Sequence, residues 1–145
     1  MSPKICISII IPFYNASVFI KNCIDSLKSQ NFDKSFEIIM IDDASTDDSH
    51  KIIKELNHQG LEIYSLPKNL GPSAARNLGL KKAKGEYIFF MDVDDTIDPN
   101  SLKLLYDVAI KNDCDFVFSD FKRIENAKNL RENFFNYSLD KLFNT

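Results

Sequence analysis

The chain has few of the features that mark several common classes of protein. Its 145 residues include only three cysteines, which are far apart and form no CxxC pair, so thiols in a reducing compartment are expected rather than a disulfide framework. The apolar run at residues 5–13 is too short to span a membrane and has no signal-peptide cleavage pattern, so we expect a cytoplasmic protein. Lysine and arginine are spread along a chain of net charge −3, so no nucleic-acid partner is expected. The glycine patterns of dinucleotide-binding and Walker-type phosphate loops are both missing.

What the sequence does contain is a regular alternation of apolar runs and helical patterns. This alternation predicts an α/β fold, in which a mostly parallel sheet is flanked by crossover helices. Strands are predicted at residues 5–11, 36–41, 61–66, 86–91 and 116–118. Helices are predicted from about Ser17, after the capping stretch 45–48, from Gly71–Pro72 and after Asp98–Pro99. Residues 125–136 are polar and predict a loop, and a last helix is expected near residues 139–143.

Small and apolar residues add expectations about packing. Gly71, Ala75 and Gly79 are spaced by four, so they predict a helix face that approaches the sheet closely, and Gly85 is expected at the position that ends this helix. The next helix is expected to bury its apolar stripe, Leu102, Leu105, Ala109 and Ile110. The alternating aromatic residues are expected to pack in the core as a strand: Phe116, Phe118 and Phe121.

Three polar clusters follow predicted strands, at residues 12–15, 42–43 and 92–95. Ligands gather outside the carboxyl ends of the strands in open α/β sheets, although Asp and Asn also favour ordinary turns and caps. The run Asp92-Val93-Asp94-Asp95 places three carboxylates within four residues, and their mutual repulsion is relieved by a divalent cation. Mg²⁺ commonly uses one or two carboxylates together with substrate phosphates, so this run predicts a metal that bridges the protein to a diphosphate.

Four segments in order resemble family 2 glycosyltransferases of the inverting, GT-A type. They are Ser8–Asn15, Ile41–Ser49, Asn69–Gly79 and Phe90–Asp95, and the likeness extends over residues 5 to about 120. The chain departs from the family pattern at Ala44, where the family often has glycine, and we expect little consequence. The resemblance implies a GT-A, Rossmann-like sheet that is incomplete at the C-terminus, with residues 1–122 as the nucleotide-sugar-binding domain. Residues 123–145 would be a loop and the start of the acceptor side.

The resemblance also implies residue roles. Pro12 and Tyr14 would line the nucleobase pocket, and Asp43 would accept a hydrogen bond from the base. Arg76 would face the nucleotide, and Asp92 would lie near the ribose and diphosphate. Asp94 would be the principal ligand of Mn²⁺ or Mg²⁺, whereas Asp95 would form local hydrogen bonds.

The activity implied is transfer of a sugar, with inversion, from a nucleoside diphosphate sugar to a glycan or lipid-linked acceptor in polysaccharide biosynthesis. A UDP-sugar is the favoured donor, and peripheral membrane association of the intact enzyme is left open. The catalytic base is expected beyond Thr145, because neither Asp120 nor Asp140 fits the family pattern.

Two alternatives remain at this point. A partial transferase would bind the nucleotide sugar without turning it over. The pattern Asp92-x-Asp94-x-Thr96 also occurs in haloacid-dehalogenase-type phosphatases, with Asp92 as nucleophile and Asp94 as general acid. That fold needs a downstream lysine and a further acidic pair, and it leaves the three upstream segments unexplained.

Overall fold

A computed structural model describes residues 4–56 and 58–119, together with the backbone of residues 123–125 and 128–130. Four parallel strands form one sheet in the order β3-β2-β1-β4. They are β1 (Ile7–Phe13), β2 (Phe36–Asp42), β3 (Leu61–Ser65) and β4 (Tyr87–Phe90). The first four predicted strands are therefore confirmed, with ends that differ by one or two residues.

Four helices connect and follow these strands: α1 (Ile20–Lys28), α2 (Ser49–Leu56), α3 (Pro72–Lys82) and α4 (Ser101–Asn112). Helix α3 packs against β1 and β2, and α1 contacts α2. The apolar residues that fall at helical spacing in α1 are fully buried, namely Ile20, Cys23, Ile24 and Leu27. Within the ranges that the structure describes, no helix has the length and apolar character needed to cross a membrane.

The two central strands, β1 and β2, form the core of the sheet. Their continuous apolar sequences, Ile9–Ile11 and Ile38–Ile41, are completely buried, as expected for strands covered on both faces. Burying each of these isoleucines contributes roughly 1.5–3 kcal/mol relative to leaving it exposed. In the ladder Ile7–Phe13 pairs with Phe36–Asp42, so the two strands end side by side.

The small face of α3 is confirmed at two of its three positions. Ala75 is buried, and a Cβ atom built on Gly79 would lie 2.4 Å from Cγ2 of Ile10, so only glycine allows this approach. Gly71 has a different reason: a Cβ there would meet nothing within 4 Å, but its φ is +86°. Glycine is needed at this position for its backbone conformation rather than for packing.

Gly85 does not end α3 in a left-handed conformation, which corrects the prediction. The helix is capped at Ala83, which is extended, and Gly85 lies two residues further on. A Cβ on Gly85 would be 2.4 Å from the backbone nitrogen of Ser8. Glycine is needed at position 85 because the chain there approaches β1 closely, just before β4 begins.

The chain divides between Lys103 and Leu104 into two compact units. In the second unit α4 ends at Asn112, and the backbone pairs β5 (Arg123–Glu125) with β6 (Lys128–Leu130) in an antiparallel hairpin. The hairpin occupies part of the segment that was predicted to be a loop. The final helix predicted near residues 139–143 lies outside the described residues.

The predicted fifth strand is wrong, because residues 116–118 have no regular secondary structure. Phe116 and Phe118 are 78% and 57% exposed, so their expected core packing is also wrong, and Phe121 lies outside the described residues. Three alternating residues specify a strand only when a neighbouring strand pairs with them. Ile110 is exposed too, in contrast to the buried Leu102 and Ala109 of the same helix.

Candidate functional site

The predicted site residues come together at one edge of the sheet. Because all four strands are parallel, the chain leaves each of them on the same side. Pro12 lies near the end of β1, and Tyr14 follows the strand with a half-exposed ring. The last bond between β1 and β4 runs from the N–H of Met91 to the carbonyl of Ile10, so Pro12 lies beyond the ladder and its missing N–H leaves no gap there.

Asn15 joins the loop after β1 to the loop after β2. Its side-chain Oδ1 accepts hydrogen bonds from the N–H and the hydroxyl of Thr46, at 2.8 and 3.3 Å. Its own N–H donates to the hydroxyl of Ser45 at 3.0 Å. The φ of Asn15 is +47°, a left-handed conformation that asparagine tolerates well. These reciprocal bonds hold the backbone next to Tyr14 in one place.

Asp47 and Ser49 make a second set of bonds between the same loops. Ser49 accepts the N–H of Ala16 through its hydroxyl at 2.8 Å, and Asp47 accepts the N–H groups of Ser17 and Ser49 at 3.1 and 3.0 Å. Burial alone would raise the pKa of Asp47, but the hydrogen bonds from Ser49 and Ser17 together lower it to about 2. The predicted capping stretch therefore also anchors the neighbouring loop, with a carboxylate that stays ionised at neutral pH.

Asp42 stabilises the start of this second loop from inside. Its side chain is only 7% exposed; Oδ1 accepts the N–H of Ser45 at 2.7 Å, and Oδ2 lies 3.4 Å from Nδ1 of His50 on α2. Of the two aspartates at the end of β2, Asp42 thus stabilises the loop that follows the strand.

Ala44 has a φ of +62°, in the left-handed region where glycine is favoured, so its departure from the family pattern does carry an energetic cost. We predict that Ala44→Gly raises the free energy of unfolding by about 0.5–1 kcal/mol, since relief of this strain exceeds the greater entropy that glycine gives the unfolded chain. Denaturant titration followed by circular dichroism measures the change. The matched control Ala74→Gly, inside α3, should lower the same free energy by about 1 kcal/mol. An Ala44→Gly variant that is no more stable than the wild type would contradict the assignment of strain.

Asp43 lies at the predicted edge but bonds to the protein's own backbone. It is 4% exposed, and its N–H donates to the carbonyl of Phe13 at 2.9 Å. Its two carboxylate oxygens accept the N–H groups of Leu70 and Gly71, at 2.7 and 2.8 Å. These amides immediately precede α3, so Asp43 ties the end of β2 to the beginning of that helix.

Arg76 and Asp92, which come from α3 and from the turn after β4, form an ion pair. Nη2 of Arg76 lies 2.7 Å from Oδ1 of Asp92, and the two side chains are 33% and 58% exposed. A pair as exposed as this is worth at most about 1 kcal/mol, so an incoming anion can replace one partner at little cost. The pairing itself was not predicted, although both residues were.

The acidic run forms a turn directly after β4. The N–H of Asp95 donates to the carbonyl of Asp92 at 3.1 Å, and the side chains of Asp94 and Asp95 are both exposed. Partial burial, and then the negative charges of Asp94 and Asp92, raise the pKa of Asp95. The same turn affects α1, because burial and then Asp95 and Asp94 raise the pKa of the Cys23 thiol to about 12. Negative charge is therefore concentrated at this turn, where Arg76 pairs with one of the three carboxylates.

The carboxylates of the turn suit a metal ion that is bound by protein carboxylates and phosphate oxygens together. In residues 4–56 and 58–119, no three side chains of the ligating types converge as an all-protein metal site would require. Asp94 is exposed, and Asp92 precedes it by two residues. One or two carboxylates completed by phosphate oxygens is the usual arrangement for Mg²⁺, and the residues present fit that arrangement.

The fold and the edge together define an α/β domain with a candidate ligand site at the carboxyl ends of its parallel strands. The chain belongs to glycosyl transferase family 2, whose model matches residues 8–143. A glycosyltransferase of Haemophilus influenzae, described as uncharacterized, is 41% identical over 108 residues, which are 73% of this chain and 43% of that protein. Poly(ribitol-phosphate) beta-N-acetylglucosaminyltransferase TarS of Staphylococcus aureus is 39% identical over 99 residues, which are 66% of this chain and 17% of that protein. The chain thus spans less than half the length of these relatives.

Two solved structures extend the comparison to the fold. The crystal structure of S. aureus TarS 1–349 in complex with UDP-GlcNAc has a TM-score of 0.70 at 35% identity and covers 74% of this chain and 32% of that one. Mannosyltransferase PcManGT from Pyrobaculum calidifontis, in complex with GDP-Man and Mn²⁺, has a TM-score of 0.60 at 25% identity and covers 66% and 29%. The predicted GT-A fold class is confirmed. The family match therefore argues against the haloacid-dehalogenase-type phosphatase.

Proposed function

We propose that this chain is the donor-binding part of a glycosyltransferase, which binds a nucleoside diphosphate sugar at the carboxyl edge of its sheet. The observation that carries the proposal is the Arg76–Asp92 pair, which places a replaceable cation beside the acidic turn. UDP-GlcNAc in TarS and GDP-Man in the mannosyltransferase support a nucleotide-sugar donor, and the higher identity to TarS favours a UDP-sugar.

In this proposal the base lies against Pro12 and Tyr14. The exposed ring of Tyr14 offers an apolar face, and the bonds of Asn15 to the neighbouring loop keep that ring at the edge of the sheet. Because bonds between two loops already hold this surface, it would need little rearrangement when the nucleotide binds. Such preorganisation reduces the entropy lost on binding.

Arg76, Asp92 and Asp94 would receive the ribose and the diphosphate. Arg76 can pass from Asp92 to a phosphate oxygen, since guanidinium groups bind both carboxylate and phosphate. Asp94 would be the principal ligand of Mn²⁺ or Mg²⁺, with Asp92 near the ribose; Mn²⁺ in the mannosyltransferase supports a divalent ion. When bound, the cation would stabilise the negative charge of the departing diphosphate.

We further propose that the sugar passes, with inversion, to a glycan or lipid-linked acceptor in polysaccharide biosynthesis. The poly(ribitol-phosphate) acceptor named for TarS supports this class of acceptor. A cytoplasmic location is part of the same proposal, and it is supported by three free cysteines. We assign no catalytic base to the described residues.

Calorimetric titration with UDP, GDP and dTDP, each with Mn²⁺ and with EDTA, tests the proposal. We expect UDP to bind, and Mn²⁺ to tighten its dissociation constant by about 200- to 300-fold, at 1.4 kcal/mol for each factor of ten. Removing the metal with EDTA should reverse this gain. If none of the three nucleotides binds in a metal-dependent manner, the proposed function is wrong.

A further inference from the structure

The side chain of Gln30, which lies just after α1, bonds to the segment that follows the acidic turn. We infer that Gln30 is a positioning residue for that turn; this inference rests on the proposed function, in which Asp94 binds the metal. Gln30 holds residues 97–102 against the end of α1, and so keeps the carboxylates of the turn where they can meet a cation. Its loss should therefore weaken only the part of nucleotide binding that depends on metal.

The acidic turn lies between two anchors that are close to it along the chain. On the strand side, the N–H of Met91 donates to a carbonyl of β1 at 3.1 Å. On the other side, the N–H of Ile97 donates to the hydroxyl of Ser26 in α1 at 3.3 Å. The bond within the turn, from Asp95 to Asp92, closes the turn but does not fix where it lies. Its position therefore depends on the anchors at its two ends.

Gln30 strengthens the second anchor with both ends of its side-chain amide. Nε2 donates to the carbonyl of Asp98 at 2.8 Å, and Oε1 accepts the N–H of Leu102 at 3.1 Å. Leu102 lies in the first turn of α4, where N–H groups have no partner within the helix, so Gln30 satisfies one of these donors from a distant part of the chain. Nε2 also donates to the carbonyl of Ser26 at 3.1 Å, which ties the amide to α1 itself.

The residue after Gln30 continues the contact. The N–H of Asn31 donates to the carbonyl of Pro99 at 2.7 Å, and its Nδ2 donates to Oδ1 of Asn100 at 3.1 Å. Residues 98–100 are exposed, so hydrogen bonds rather than buried apolar surface hold this part of the segment. Segments with few buried apolar contacts open at low cost in free energy, and losing the bonds of Gln30 should release this one.

The order of the turn matters to a metal ion because three carboxylates within four residues repel one another. If the segment after Asp95 is released, the carboxylates can move apart, and binding a cation then requires them to be ordered again. Groups that orient metal ligands without touching the metal typically account for roughly 10- to 100-fold in metal affinity. Gln30 acts through the backbone of residues 95–98, so we expect the lower end of this range.

Gln30→Met tests this role, because methionine has nearly the same length and shape but makes none of the hydrogen bonds of the amide. In calorimetric titrations with Mn²⁺, we expect the dissociation constant of UDP to rise about tenfold, whereas in EDTA it should stay within about twofold of the wild type. Ser29→Ala is the matched control. It loses a bond to the same carbonyl of Ser26 at 2.9 Å but keeps the amide of Gln30, and it should bind UDP as the wild type does.

Two further readouts separate positioning from a general effect on stability. In an Asp94→Asn background, Gln30→Met should change the dissociation constant in Mn²⁺ by less than about twofold, because the ligand that it positions is missing. In an Asp33→Asn background, on the exposed loop before β2, it should keep its full effect. In ¹H–¹⁵N spectra without nucleotide, the amide signals of the acidic turn should shift in Gln30→Met and not in Ser29→Ala.

Ser26→Ala decides the matter if Gln30→Met does not fold. It removes the acceptor of the Ile97 N–H, which is the weaker bond of the same anchor, so we expect a loss of about threefold in Mn²⁺ and none in EDTA.

The inference is overturned if the folded variants bind UDP as the wild type does in Mn²⁺, if they weaken binding equally in Mn²⁺ and in EDTA, or if the loss in Gln30→Met multiplies with that in Asp94→Asn. A wild-type chain whose UDP binding does not respond to Mn²⁺ would instead refute the proposed function, and this inference with it. A full metal response in both the wild type and Gln30→Met would refute this inference alone.

Discussion

Gly85→Ala is expected to lower the free energy of unfolding by about 3 kcal/mol, at the upper end of what overpacking costs. The added Cβ would lie 2.4 Å from the nitrogen of Ser8 and 2.7 Å from the carbonyl carbon of Ile7. These are backbone atoms of the central strand β1, which pairs with both β2 and β4 and has no freedom to retreat. Urea or guanidinium titration of the purified variant measures the loss.

Gly79→Ala is the matched comparison for this prediction. Its Cβ would meet the side chain of Ile10 at 2.4 Å, and a side chain can rotate or shift where a strand cannot. We expect a loss of about 1–2 kcal/mol for this variant. If Gly85→Ala costs no more than Gly79→Ala, then the backbone of β1 is more compliant than the structure indicates.

The reason for the close approach at Gly85 is a buried polar group at the amino edge of the sheet. Ser8 donates to Oε1 of Glu37 at 2.6 Å and accepts the N–H of Gly85 at 2.7 Å, and the N–H of Lys84 donates to the same Oε1 at 2.7 Å. These bonds place the segment that leads into β4 against β1. Displacing it would also displace the acidic turn at the other end of β4, so Gly85 supports the site from a distance.

This network shows what local sequence patterns could not predict. Lysines followed by a glycine are typical of a helix end, and the pattern around Gly85 was interpreted in that way. Its actual role depends on β4 pairing with β1, a strand 80 residues earlier in the chain. The residues around Gly85 do not indicate that β4 pairs with β1.

The buried strands were predictable because the local amino-acid composition of each strand is enough to identify it. The continuous apolar runs of β1 and β2 require cover on both faces, and a parallel sheet then brings the chain ends after each strand to one edge. Tyr14, Asp43 and Asp92 were expected there for that reason, whereas Arg76 was expected there only from the family resemblance. Residues 116–118 show the limit of the same approach, since a short alternating pattern does not specify its own partner.

The contacts made by each site residue were less predictable than its location. Asp42 and Asp43 are neighbours of the same type, yet one bonds within its own loop and the other to amides 27 and 28 residues further along the chain. Which oxygen meets which amide follows from the packing of α3 on the sheet. Ala44 shows the same limit, because little consequence was expected from the departure there, whereas its φ of +62° places it in the left-handed region.

Asp94→Asn is expected to abolish the effect of Mn²⁺ on UDP binding, so that in Mn²⁺ the variant binds about 100-fold more weakly than the wild type. Asp92 is paired with Arg76, and we propose Asp94, which is exposed on the same turn, as the carboxylate that shares the metal with a diphosphate. Paired calorimetric titrations of both proteins in Mn²⁺ and in EDTA measure this difference.

The titration without metal tests this prediction most strictly, because the substitution should then strengthen UDP binding instead of weakening it. Without a cation, the negative charge of Asp94 repels the diphosphate, so Asp94→Asn should bind UDP in EDTA about two- to threefold more tightly than the wild type. A variant that is merely misfolded would bind more weakly under both conditions, and Asp33→Asn should match the wild type in each. If Asp94→Asn keeps its response to Mn²⁺ while Asp92→Asn loses it, the metal ligand has been assigned to the wrong carboxylate. The Arg76–Asp92 pair would then have to open before the metal could bind.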